Sequence, residues 1–309
     1  MFPDNQLEQA NQGDFDVIQN LNERGFIPGA SETLDAYTQR LQKLSELYVQ
    51  YEKDLSTEAG FTIEGTNFKK DQLIPQELFT AAEKQNLELY GFKIDWVPGF
   101  FYSPGALFGG CAFALPPEFF TLFVLRPTFK TKEKWYIYGR DELMAHELCH
   151  TARFALGSDK FEEMFAYQTA TSKFRKSFGA MVRSPMESYI FMGLIFILMA
   201  SQVYIYNQEV IDRRYFLPLP VIILMSLMLL YGFGLAFRQS LQNRSYKKLL
   251  IKLNTISSKP AHLAFRLDDK EMDLLIQRNS ISKEVLIDVL KQSKADQFRI
   301  DLILAYCDL

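Results

Sequence analysis

The chain has 309 residues, of which 48% are hydrophobic and 23% charged, so most of it is expected to fold rather than stay disordered. A formal net charge of −3 leaves no basic excess to gather on a phosphate backbone, and nucleic acid is not an expected partner. Three cysteines, Cys111, Cys149 and Cys307, have no paired spacing, which excludes a disulfide framework and points to a reducing compartment.

The first residues, MFPDNQLEQANQGDFD, are acidic and polar, without the charged-then-apolar run of a secretory signal, so this part is expected to stay in the cytoplasm. Residues 31–56 predict an amphipathic helix capped by Ser31: Leu34, Leu41, Tyr48 and Leu55 recur at sevens, with Tyr37, Leu44 and Tyr51 between them. Gly60, Gly65 and Asn67 mark turns around a short extended piece at 61–63. A second helix is expected from Pro75 to about Tyr90.

The apolar stretch 106–125 is interrupted by Pro116, Pro117 and Glu118. A Pro-Pro-Glu at bilayer mid-depth would leave backbone groups and a charge unsatisfied, so the stretch reads as buried soluble structure. Residues 119–125 and 135–138 predict the two arms of a β-hairpin around the polar turn PTFKTKEK. Asp141 then caps a helix that Gly157 ends, and Ser158 caps the next, which carries Glu162, Glu163 and Ala170.

Residues 189–206 and 215–237 contain no charged side chain, and about 20 apolar residues suffice to cross a bilayer core of roughly 30 Å. Tyrosines at 189, 204, 206 and 215 and Phe237 sit at the ends, where amphipathic rings favour the headgroup level. The link 207–214 is short, so the spans form a hairpin. Lys173, Arg175, Lys176 and Arg183 before it, and Arg238, Arg244, Lys247, Lys248 and Lys252 after it, outnumber Arg213 and Arg214 in the link. The positive-inside rule therefore puts both flanks in the cytoplasm. Residues 239–309 read as a small helical cytoplasmic tail.

Chemistry concentrates at HELCH. His146 and His150 stand at i and i+4 on one helix face, where two imidazoles can reach one zinc ion, and Glu147 is placed to take a proton from water activated by the metal. A catalytic zinc needs a third protein ligand and an open position. The candidates are Glu162 and Glu163, Cys149, and His262. Cys149 points away around the helix, His262 lies beyond the hairpin, and a tight turn at Gly157 would bring the acidic pair back beside the histidines. Glu163 is preferred because Ala166 and Ala170 on its face allow close helix approach.

HELCH followed by EEMFA resembles the gluzincins, zinc peptidases whose HExxH helix is followed by a ligating glutamate on the next helix, with Glu163 and Ala166 echoing a Glu-x-x-Ala pattern. The likeness covers residues 119–170. It implies metal ligands His146, His150 and Glu163, Glu147 as general base, and an antiparallel edge strand that pairs with a peptide substrate, supplied by 119–125 or 135–138. Tyr167, Tyr138 and Arg153 are the candidates for an oxyanion donor. The expected architecture is α+β: a zincin-like catalytic domain (1–185) with a small antiparallel sheet and an active-site helix, a two-helix transmembrane hairpin (186–238) and a helical tail (239–309). The expected activity is peptide hydrolysis at the cytoplasmic face of the bilayer, on membrane-proximal peptide or protein substrates. The same residues admit a non-enzymatic membrane scaffold with a structural or vestigial metal site, using 31–56 and the tail to hold partners, or hydrolysis of a non-peptide bond.

Overall fold

The computed structural model describes residues 2, 5–63, 65–103, 105, 108–207 and 219–308. Most of the expected link between the spans, and Tyr215 at the start of the second, lie outside the described residues, as do Ala106 and Leu107. The chain divides into two units, one formed by Met1–Thr171 together with Tyr246–Leu309, the other by Ser172–Ser245.

In the first unit, α1 (Gln6–Asn11) and α2 (Phe15–Glu23) precede α3 (Leu34–Leu55). The N-cap of α3 is Thr33 rather than Ser31, its side chain accepting from the Ala36 amide. The heptad stripe of α3 is spent within its own unit: Tyr37, Leu41, Leu44, Tyr51 and Leu55 are buried, and Tyr51 meets Phe61, Phe100 and Phe120. Strands β1 (Phe61–Ile63) and β2 (Thr66–Phe68) pair antiparallel around Gly65, which lies in the left-handed region that favours glycine. A short 3-10 turn from Gln76 leads into α4 (Thr80–Tyr90), ended by Gly91.

A three-stranded sheet follows: β3 (Gly99–Phe101), β4 (Gly110–Leu115) and β5 (Phe120–Leu125), in the order β3-β5-β4. This corrects the expected hairpin. The arm at 120–125 pairs not with 135–138 but with β4 across the Pro116–Pro117 turn, and on its other side with β3 in parallel. Every residue of β5 is buried, as a central strand with both faces covered requires. Trp135 and Tyr138 instead close their own small hairpin, β6 (Lys134–Trp135) with β7 (Tyr138–Gly139). The N-cap of helix α5 (Arg140–Arg153) is Gly139 rather than Asp141, two residues earlier than expected, and the helix ends through a 3-10 turn at Gly157. Helix α6 (Glu162–Tyr167) is shorter than expected. Ser158 does not cap it: Asp269, far along the chain, accepts from the amides of Asp159, Lys160 and Phe161 and shapes the entry instead.

The second unit contains α7 (Lys173–Phe178), α8 (Pro185–Asn207) and most of α9 (Leu219–Leu253). Met186–Tyr204 and Val221–Leu253 are long and apolar enough to cross a membrane, and only 0% and 6% of the most apolar windows are buried, the opposite of a soluble core helix. The two helices run antiparallel: Arg238 on α9 grips Glu187 near the start of α8 at 2.5 and 3.0 Å.

The remaining helices are α10 (Pro260–Phe265), α11 (Asp269–Gln277), α12 (Lys283–Gln292) and α13 (Gln297–Leu304). The helical character expected after the hairpin is present, but from Tyr246 onward this segment belongs to the first unit. Three buried arginines attach it. Arg266 reaches Asn22 and the carbonyls of Tyr90 and Gly91, Arg299 reaches the Ala30 carbonyl, and Arg153 reaches the carbonyls of Phe265 and Leu267.

Candidate metal centre

Helix α5 is polar on one side and apolar on the other. Met144, Ala145, Leu148, Cys149 and Ala152 are buried, while His146, Glu147 and His150 line the opposite face. Helix α4 holds this arrangement in place. Asn86 donates to the Ala145 carbonyl at 3.1 Å and accepts from the Cys149 thiol, and Tyr90 donates to the Phe165 carbonyl of α6 at 2.7 Å. The left-handed Gly157 turns the chain, and α6 returns against α5.

The structure brings His146, His150 and Glu163 together as a group that could hold a metal ion. His146 Nε2 and His150 Nε2 are 3.2 Å apart, and the two oxygens of Glu163 lie 3.6 Å from one ring nitrogen each. Glu162 does something different. It approaches the far side of His150, with Oε1 3.3 Å from Nδ1, and its Oε2 accepts from Arg153 at 2.7 Å. A carboxylate at Nδ1 keeps the ring proton there and leaves the Nε2 lone pair facing the cluster.

The other candidates lie elsewhere. Cys149 is fully buried against Asn86, and burial pushes its thiol well above the ordinary range. His262 sits over Gly91 at the end of α4 and contacts the Glu88 carbonyl. Of the oxyanion candidates, Arg153 is enclosed and committed to Glu162 and to backbone carbonyls, so it cannot reach a substrate. The Tyr167 ring packs edge-on against His146, centroids 4.7 Å apart.

Edge strand β4 is the part of the site that the pattern of residues concealed. The Arg126 amide donates to the Gly109 carbonyl, which fixes the antiparallel alternation. Residues 111, 113 and 115 therefore exchange hydrogen bonds with β5, while the backbone groups of Gly110, Ala112 and Ala114 face the other way. The Ala112 amide confirms that direction by donating to Glu147 Oε2 at 3.0 Å. Of the two segments expected to supply the edge strand, 119–125 is ruled out because β5 is the central strand of its sheet, while Trp135 and Tyr138 lie in the separate β6–β7 hairpin.

Burial raises Glu147 to about 7. The charge of His150 and the Ala112 amide pull it down and Glu163 pushes it up, but burial prevails. For His150, burial favours the neutral ring, yet the hydrogen bond and charge of Glu162, with Glu147 and Glu163, outweigh it and raise the group to about 9. A metal must therefore displace a proton from His150 at any pH below about 9. The expected result is a metal affinity that falls by about tenfold per unit as pH drops from 8 to 6, measured by chelator competition. The sign for the metal-free protein is opposite. The stabilising proton on His150 is fully present below the ordinary imidazole value of 6.5 and is lost as pH rises through about 9.

No protein-family model, curated protein or solved structure matches the chain.

Proposed function

We propose that the protein is a membrane-anchored zinc metallopeptidase acting on peptide bonds at the cytoplasmic face, with His146, His150 and Glu163 as metal ligands and Glu147 as general base. The observation that carries this is the spacing of the three ligand groups. A tetrahedral ion bound at about 2.0–2.1 Å separates its ligand atoms by about 3.3–3.4 Å; the two Nε2 atoms are 3.2 Å apart, each lies 3.6 Å from a different oxygen of Glu163, and one ligand atom from each residue falls within 4.8 Å of the others. Among the described residues no fourth histidine, cysteine or carboxylate joins the group. That favours a catalytic centre, which keeps one position open, over a closed structural one. The pattern resembles that of the gluzincins, and the proposed activity rests on that resemblance.

Zinc bound there would supply Lewis acidity to a carbonyl and to water. Glu147 accepts the proton of the attacking water and returns it to the leaving nitrogen; its Oε2 is oriented by the Ala112 amide, which leaves Oε1 for the water. The outward groups of Gly110 and Ala114 offer an extended peptide a strand to pair with, and main-chain pairing suits a peptide better than a small ester or amide. Proline at Ala114 removes one such donor without touching the β5 ladder. Its expected effect is a KM raised roughly 3–10-fold with kcat little changed, the size of one lost hydrogen bond.

Membrane anchoring rests on the two exposed apolar helices. That the segments before and after the hairpin share one side rests on their packing into one unit, which requires an even number of crossings between them; that this side is the cytoplasm rests on the charge count alone.

The test is metal analysis of the purified full-length chain with an assay against a fluorogenic peptide library. One zinc per chain with chelator-sensitive cleavage supports the proposal. A chain that binds no zinc, or that binds it and cleaves nothing, overturns it; the second result would favour a scaffold with a vestigial site.

A further inference from the structure

The arginine beneath the metal centre connects it to a part of the chain that lies beyond both apolar helices. Arg153 ends α5, and its side chain is 0% exposed. Burying a guanidinium demands a counter-charge and acceptors for all its N–H groups. Glu162 supplies the charge at 2.7 Å from Nε. The acceptors are the Phe265 and Leu267 carbonyls, the latter 3.3 Å from both terminal nitrogens, where the chain leaves α10 and helical N–H partners run out. The guanidinium packs against both the Phe165 and Phe265 rings, 4.4 and 5.2 Å from their centroids. One ring comes from the acidic helix and the other from the C-terminal segment.

Resting on the metal-site reading above, we propose that Arg153 is a positioning residue that couples the C-terminal segment to metal binding. It holds Glu162 against His150 Nδ1, so that the ring presents Nε2 to the ion. Each link is a contact with few alternatives. Glu162 has one oxygen on Arg153 and the other on His150, and releasing the first frees the carboxylate, 16% exposed, to leave the second for water. The guanidinium fork reaches Glu162 and the two carbonyls at once, which a lysine ammonium on a single axis does not do. Coupling of this kind is reciprocal: if the C-terminal carbonyls support the ligand, a bound ion tightens the C-terminal segment in return.

The experiment uses the full-length chain, wild type and the variants Arg153→Met, Arg153→Lys and Glu162→Gln. Zinc affinity is measured by competition with a chromophoric chelator, and amide exchange at residues 263–268 is followed with and without zinc. Each variant is expected to lose roughly 10–100-fold in zinc affinity, the usual effect of removing an outer partner of a ligating histidine. An Arg153→Met/Glu162→Gln double variant is expected to bind within about twofold of the weaker single, because both break one path. Zinc is expected to slow exchange at 263–268 in the wild type and to leave it unchanged in Arg153→Met. If Arg153→Met does not fold, Glu162→Gln, which keeps the side-chain shape, carries the comparison. Variants that are less stable yet bind zinc like the wild type overturn the proposal, as does wild-type exchange indifferent to zinc. A wild type that takes up no zinc overturns the metal-site reading itself.

Discussion

Glu147→Gln is expected to lower kcat by roughly 100- to 10,000-fold, the range typical of losing a general base, while the protein keeps one zinc per chain. The substitution is nearly isosteric, and its amide oxygen can still accept from the Ala112 amide, so the edge strand stays in place. None of the three candidate ligand groups is altered, and the removal of a half-buried carboxyl leaves no unpaired charge behind. What disappears is the basic oxygen that takes a proton from water. Parallel metal analysis and steady-state kinetics check it. A variant with full activity excludes Glu147 as the base, and one that loses its zinc assigns the residue to metal retention. A dication bound at the centre would pull the Glu147 group below the value of about 7 that it has without the ion, so the acid limb of the rate profile is expected below pH 7.

Arg299→Met is expected to destabilise the first unit by about 3–5 kcal/mol, the usual result of removing one partner from a buried ion pair. Arg299 and Glu271 are 1% and 0% exposed and meet through two bonds of 2.6 and 2.8 Å. The same guanidinium also donates to the Ala30 and Arg266 carbonyls, so three segments lose an anchor together. For a unit of this size the midpoint of thermal unfolding should fall by on the order of 10 °C. Adding Glu271→Gln to Arg299→Met removes the stranded charge and is expected to recover part of the loss. A single variant that melts with the wild type would show that the C-terminal helices contribute little to the unit.

Local features of the centre were legible in the sequence. HELCH places two histidines on one helix face by helical period alone, and the glycine turn followed by two glutamates brings a carboxylate back within reach. The two long apolar helices were legible because uncharged runs of that length stand out in the sequence. What escaped depends on distant residues. The choice between Glu162 and Glu163 is made by Arg153, which recruits Glu162 to the outer side of His150 and leaves Glu163 to the ion face. The start of α6 is set by Asp269, more than a hundred positions away, so a nearby Ser158 misleads. Strand β4 was hidden within an apolar run whose prolines advertise an interruption rather than a turn between paired strands. The buried arginines look like surface charges in a one-dimensional reading, because the carbonyls that satisfy them carry no side-chain signature.

The placement of the C-terminal segment also sets an order of events during synthesis. Residues up to Thr171 contain every proposed ligand and the proposed base, yet the carbonyls beneath Arg153 are made only after both apolar helices have left the ribosome. A nascent chain that has reached the membrane but not its last helices holds Arg153 and Glu162 without their far support. The candidate centre is thus complete only when translation is, and a chain cut short in or after the two apolar helices carries the proposed ligands without that support.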